Sequence, residues 1–518
     1  MASDVTGMIN PLRFGLLLSL LAVTSYYGLL HYRVLQIGHP ITQDEPGFVE
    51  ITAGGNAYTE TGVTTCANVY GPGYALWARP FTALIPNAYI AHRWASSCAL
   101  FGLLGILAWV LRGEGVGGIE TAAGLAIVYI LNVSSHSLSA NADLLGTALF
   151  VATLAVSRRG TWPALLAGLI LAALAALTKP YFALGWGIVV SHLFLFGPPR
   201  RAFAYLGLSV AVAAVVAAVL NAVAPFYYLA TVVFHRAVAG RHADILVGQT
   251  LAFAVLTSGV LILACLDHPV RRQFSVALDR PWISPAVDLW NWAAVLAAIA
   301  LLGMLGWHAG NYLVYFYHLL LAPLVVVALR RLATWPRAGR VLLWANVAVL
   351  GFLIPPLPGR DHWENLEASV ADVHGPILAD PLLEPFVHSH PYVTLLTHGH
   401  TVSIVQAMDH MGADVPAAYL NVQRDLQRIA QNLNARIRAQ EFAAVYIVYV
   451  DLGAGATWGY DQSHIRQSLF TRYQPASDIV VYPYAAPYWD RMHHGQSPYH
   501  VIKWVPKLVP ARDVAQLH

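Results

Sequence analysis

Long apolar runs separated by short polar breaks fill the first two thirds of the chain. The runs at 12–30, 91–111, 121–138, 142–157, 162–178, 181–196, 202–224, 248–265, 287–306, 312–329 and 340–356 read as eleven transmembrane helices. Several fall short of the roughly 20 residues that a bilayer-crossing helix uses. The first run lacks a small-residue cleavage site, so it reads as a retained anchor.

After about residue 356 the period changes. Ala417–Gln440 predicts an amphipathic helix, and the apolar Ala444–Val450 predicts a buried strand. His464–Thr471 predicts a short helix, while Asp478–Tyr482 and His500–Val505 predict further strands. Pro355, Pro356 and Pro358 mark a linker. The expected organisation is a membrane domain at 1–356 and a soluble α/β domain at 357–518.

Composition agrees with a polytopic helical membrane protein: 57% of residues are hydrophobic, 11% are charged, and mean hydropathy is +0.55. Charge placement then suggests orientation. With a cytoplasmic N-terminus, one set of loops holds Arg112, Arg158–Arg159, Arg200–Arg201, Arg271–Arg272 with Arg280, and Arg330–Arg331 with Arg337 and Arg340. An arginine in every short loop on one side is the pattern of cytoplasmic loops. The loop 31–90, the turns near 139 and 179, the loop 225–247, the turn 307–311 and the tail then face outward. The net charge of +3 gives no reason to expect nucleic acid.

Candidate chemistry collects in those outward segments. Residues 1–354 hold only 12 of the 27 acids, yet Asp44 and Glu45 are adjacent in the first long loop. Acids retained near lipid are functional candidates. The same loop contains Tyr70-Gly-Pro-Gly-Tyr74, whose rings suit headgroup depth. His92-Arg93 follows at the second run. Asp143, the sole acid between Glu120 and Asp244, opens the fourth run, where it also suits a helix N-terminus.

Lys179 is the only lysine before Lys503. It sits where orientation needs no positive charge, and a compact ammonium suits a phosphate oxygen. Arg236 and Arg241 in the loop 225–247 supply further cations, and Asn311 and Tyr312 supply polar contacts at an outward turn. The histidine pairs at 388/390, 398/400 and 493/494 lack the spacing of a helical zinc motif, so no metal ligand set is assigned. Three cysteines cannot build a disulfide framework. No Walker loop, dinucleotide fingerprint or nucleophile elbow is present.

Taken in chain order, these segments resemble the GT-C class of membrane glycosyltransferases, notably the protein O-mannosyltransferases and lipid A aminoarabinose transferases. The resemblance rests on Asp44-Glu45, Tyr70-Gly-Pro-Gly-Tyr74, His92-Arg93, Asp143, Thr178-Lys179, Gly310-Asn-Tyr312 and Gly375-Pro-Ile-Leu-Ala-Asp380. It implies a GT-C-like helical core with interfacial helices in the loop 31–90. It also implies a polyprenyl-phosphate-linked sugar as donor, and a first-loop carboxylate as general base. That role passes to Asp44, with Glu45 as the nearest substitute. Relatives often carry an arginine close to the second-turn aspartate, whereas Asn141 and Ala142 precede Asp143 in this chain.

The chemistry expected is a direct, inverting displacement. The base takes a proton from an acceptor hydroxyl on a lipid, glycan or protein, while Lys179, Arg236 and Arg241 stabilise the departing phosphate. A divalent metal is compatible with this chemistry but not required by it. The alternatives are a transporter or flippase, or a polysaccharide polymerase or ligase, acting on a lipid-linked glycan. The absence of internal repeats and of mid-membrane charge favours the transferase. Alanine- and arginine-rich, lysine-poor runs suggest a bacterial inner membrane, with the tail in the periplasm.

Overall fold

The apolar runs fold as helices in the order the pattern predicts. The computed structural model describes residues 11–40, 45–53, 58–59, 70–133, 139, 142–227, 243–265, 288–305, 313–333, 335–352, 363–394, 417–450, 461–481 and 499–508. The helices begin with α1 (Pro11–Leu35), then α2 (Glu45–Thr52) and α3 (Pro72–Leu84) within the first loop. They continue as α4 (Ala88–Gly113), α5 (Gly118–Val133), α6 (Asp143–Ser157), α7 (Trp162–Thr178), α8 (Leu184–Phe196) and α9 (Pro199–Val223). Next come α10 (Ala243–Leu256), α11 (Ser258–Cys265), α12 (Leu289–Leu305), α13 (Leu313–Arg330) and α14 (Pro336–Phe352).

Among the described residues, Phe14–Leu35 of α1, α4 and α9 are long and apolar enough to cross a membrane. The α9 surface shows why lipid is needed. Phe203, Val210, Val215, Val219 and Val223 are each more than half exposed, so this helix turns apolar side chains outward rather than into the protein. One continuous core joins residues from α1 through α14, with α6 packed against both α4 and α7.

The run at 248–265 is broken between α10 and α11, and Asn346 of α14 fills the break. Its Nδ2 donates to the Leu256 carbonyl at 2.8 Å, and its Oδ1 accepts from the Val260 N–H at 3.1 Å. Backbone groups freed by a helix break inside an apolar core need such partners.

Beyond α14 lie α15 (Trp363–Ala371), β1 (Ile377–Ala379), a helical turn at Glu384–Val387, β2 (Tyr392–Thr394) and α16 (Ala417–Arg438). They are followed by β3 (Ala444–Val450), α17 (Asp461–Arg472), β4 (Tyr473–Val481) and β5 (Tyr499–Pro506). The strands form one sheet of order β2-β1-β3-β5-β4. β1 runs parallel to β2 and β3, while β3–β5 and β5–β4 are antiparallel.

The period-2 alternation of β3 feeds two apolar layers. Ala444, Tyr446 and Val448 pack with α15 on one face, and Val445 and Ile447 pack with α16 and α17 on the other. Burial on both faces explains why β3 reads as a continuous apolar run.

The loop arginines that set the expected orientation also make ion pairs. Arg158 and Arg330 both bind Glu114 and Asp288, and Arg340 binds Glu120 at 2.8 Å.

Candidate functional site

Two buried ion pairs form where the first loop meets the N-terminus of α4, the start of α6 and the end of α7. The first begins with helix capping. Asn87 caps α4 by accepting from the Ile90 N–H at 3.1 Å, and its amide donates to the Gly38 carbonyl at 2.9 Å. The chain leaving α1 is thereby held against the start of α4. Arg93, nearly two turns along, completes the grip: its Nη1 donates to the Ile37 carbonyl and its Nη2 to the His39 carbonyl at 2.6 Å.

The same guanidinium takes both oxygens of Glu45, Nε to Oε1 at 3.0 Å and Nη2 to Oε2 at 2.8 Å. Both side chains are fully buried. Arginine's planar fork suits this bidentate contact. Glu45 also stands in the first turn of α2, where the helix dipole favours a carboxylate.

The second pair depends on two close backbone approaches. The Gly71 N–H donates to the Thr178 carbonyl at 3.0 Å, docking the start of α3 on the end of α7. A Cβ at Gly71 would lie 1.8 Å from the Leu177 carbonyl oxygen, so only glycine fits this contact. On α6, a Cβ at Gly146 would lie 2.0 Å from the Phe182 ring. Its absence lets the 3₁₀ turn Pro180–Ala183 lie against α6 near Asp143.

Lys179, in extended conformation at the C-cap of α7, places Nζ 2.8 Å from both Asp143 oxygens. The Tyr181 hydroxyl donates to the same carboxylate. Lys179 is only 3% exposed, and its Nζ lies 4.2 Å from the centre of the Tyr70 ring. That is cation–π range.

Phe48 links the two centres. It sits one turn after Glu45, stacks on Tyr70 at 5.2 Å and meets Tyr74 edge-on at 5.0 Å. His92, next to Arg93, bonds Thr52 of α2 at 2.8 Å through Nε2, and the Tyr74 hydroxyl donates to the His92 carbonyl at 3.1 Å. A hydrogen-bond chain continues from Tyr74 through Ser96 to the Ser139 carbonyl.

The C-terminal sheet region closes one side. Trp363 and Phe386 stack at 4.8 Å, and the His39 ring packs at 4.7 Å from Trp363 and 5.5 Å from Phe386. Because the His39 carbonyl is held by Arg93, this aromatic cluster connects directly to the Glu45 pair. Nearby, the Tyr392 hydroxyl donates to Glu384 at 2.7 Å; burial and that carboxylate push its pKa up to about 12.

Of the residues singled out in the sequence, the structure brings Glu45 to Arg93, Lys179 to Asp143 and to the Tyr70 ring, and His92 to the α2–α3 layer. Asp44, Arg236, Arg241, Asn311 and Tyr312 lie outside the described residues. Sequence reasoning passed over Tyr181, Phe48, Asn87 and Gly146. Tyr181 lies two residues after Lys179, and Asn87 carries a local N-cap signal, but Phe48 and Gly146 carry none, since their roles exist only across helices. Among the described residues no group of three or more His, Cys, Asp or Glu is placed to hold a metal ion.

No family model and no curated protein matches the chain. Solved structures do. The crystal structure of ArnT from Cupriavidus metallidurans bound to undecaprenyl phosphate aligns with a TM-score of 0.50 at 12% identity, covering 93% of this chain and 97% of ArnT. ArnT from the same organism in the apo state aligns over the same shares with a TM-score of 0.46 at 13% identity. At such identity the first likeness is one of fold. The chain therefore has an ArnT-like polytopic helical membrane fold, and the GT-C resemblance read from its sequence holds at that level.

Proposed function

We propose that this chain is an inverting glycosyltransferase that moves a sugar from a polyprenyl-phosphate donor to a hydroxyl acceptor at the outward face of a bacterial inner membrane. The observation that carries this reading is the convergence of Lys179, Asp143, Tyr181 and Tyr70 with the Glu45–Arg93 pair in a fold shared with ArnT, a protein crystallised with undecaprenyl phosphate. The reading keeps eleven membrane spans and a C-terminal α/β domain on the outward side.

The geometry divides the roles of the first-loop acids. A proton acceptor needs a free lone pair within reach of the acceptor hydroxyl. Glu45 is fully buried and held bidentately by Arg93, out of reach of an incoming hydroxyl, which supports Glu45 as a positioning residue and Asp44 as the base. Arg93 also holds the Ile37 and His39 carbonyls, so the end of α1 and the start of α2 share one guanidinium.

Lys179 is neutralised by Asp143 in this structure. In the proposed reaction the donor phosphate competes with Asp143 for that ammonium, and Tyr181 stays with the carboxylate. The Lys179 charge then stabilises the leaving phosphate as the bond to the anomeric carbon breaks. Arg236 and Arg241 are assigned as further phosphate contacts, and Asn311 and Tyr312 as polar contacts.

The test is transfer from polyprenyl-phosphate-linked sugars by purified protein in detergent, without a membrane gradient. Asp44→Asn should abolish transfer while the folded protein still binds undecaprenyl phosphate. Full transfer by that variant would remove Asp44 from the mechanism. Gradient-dependent movement of an unmodified lipid-linked glycan would favour a flippase instead.

A further inference from the structure

The end of the bundle opposite Lys179 holds a cavity that the proposed reaction does not use. It has a volume of about 300 Å³ and is lined by Trp109, Val110, Gly113, Ala155, Arg158, Arg159 and Trp290. Asp143 opens α6, whereas Arg158 and Arg159 follow its last residue, Ser157. At 1.5 Å per residue the two ends of α6 are about 21 Å apart, so a phosphate at Lys179 cannot occupy this cavity.

We propose that this cavity binds the phosphodiester headgroup of an anionic membrane phospholipid. Its walls are mainly apolar, from Trp109, Val110, Ala155 and Trp290, with two guanidinium groups beside them. That combination matches an amphipathic ligand. Arg158 is held in place by Glu114 and Asp288, which also bind Arg330. Arg159 lies over the Trp109 ring at 5.3 Å.

Charge sets the ligand class. Arg158, Arg159 and Arg330 bring three positive charges against two from Glu114 and Asp288, leaving one, which a single phosphodiester neutralises. The indole N–H of fully buried Trp290 is a further donor in the wall, with no acceptor among the described residues. Trp109 is 48% exposed, as befits an aromatic ring at the membrane–water boundary. Basic pockets between helices on an arginine-rich face are the usual form of a headgroup site.

Native mass spectrometry of the full-length protein in detergent, with equimolar phosphatidylglycerol and phosphatidylcholine, tests this. The expected result is preferential retention of phosphatidylglycerol. Arg159→Gln should lower that retention about tenfold without moving the melting temperature in lipid-free detergent. Arg337→Gln, an exposed residue outside the cavity, should change neither. Equal retention of the two lipids, or unchanged retention in Arg159→Gln, overturns the proposal. Displacement of the lipid by millimolar inorganic phosphate overturns the lipid assignment in favour of a free-phosphate site. None of these outcomes depends on the glycosyltransferase reading.

Discussion

The two ends of α6 handle charge in opposite ways. At the Asp143 end the charges form separate buried pairs, with Glu45 and Arg93 at 0% side-chain exposure and Asp143 and Lys179 at 0% and 4%. At the Arg158 end four charges share one network at 37% exposure for Arg158, 27% for Arg330, 24% for Asp288 and 7% for Glu114. The difference is one of dielectric. A buried ion stripped of its partner has no water to turn to, whereas a half-exposed ion in a network keeps both water and a second partner.

The largest expected effect follows from breaking the most buried pair. Arg93→Met should destabilise the protein by about 3–5 kcal/mol, read as a lowered melting temperature in detergent, because the fully buried Glu45 would lose its bidentate guanidinium. A melting temperature equal to the parent's would mean that water reaches Glu45. Lys179→Met should cost about 3 kcal/mol by the same logic, and the double variant with Asp143→Asn should recover part of it. No recovery in that double-mutant cycle would show that the two groups are not energetically coupled.

Asp380 sharpens the comparison, being a buried acid that receives a backbone N–H, from Leu382 at 3.0 Å, rather than a cation. Burial raises its pKa from 3.8 to about 7, against the lowering effect of that N–H. An acid whose folded pKa lies above its unfolded value keeps its proton longer in the native state. Stability therefore falls as pH rises from about 4 to about 7. Asp380→Asn should flatten this dependence in melting curves taken across that range; an unchanged slope would assign the titration elsewhere. The smallest effect belongs to the opposite end of α6. Asp288→Asn should cost no more than about 1 kcal/mol, since Arg158 and Arg330 keep Glu114. A loss as large as that from Arg93→Met would erase the contrast between the two ends.

Particular residues show how far the sequence could be read. The helical runs, the strand Ala444–Val450 and the helix at 417–438 follow from periodicity, because burial repeats every 3.6 or 2 residues regardless of what does the burying. Lys179 and Asp143 stood out by rarity in an apolar background, but nothing local indicated that they bind each other 36 positions apart. The arginine pairs read as orientation signals, and their second role in the Glu114–Asp288 network required the fold.

Sequence by itself thus determined the helical, lipid-facing character of the chain, the sheet elements near its end, and the short set of charged residues worth attention. Only the tertiary structure decided which partners those residues take. It spent both oxygens of Glu45 on Arg93, gave Lys179 to Asp143, and explained Gly71 by a carbonyl 1.8 Å from where its Cβ would be. The physical reason is range: periodicity is a property of neighbours along the chain, whereas ion pairing and steric exclusion act between atoms that become neighbours only after folding.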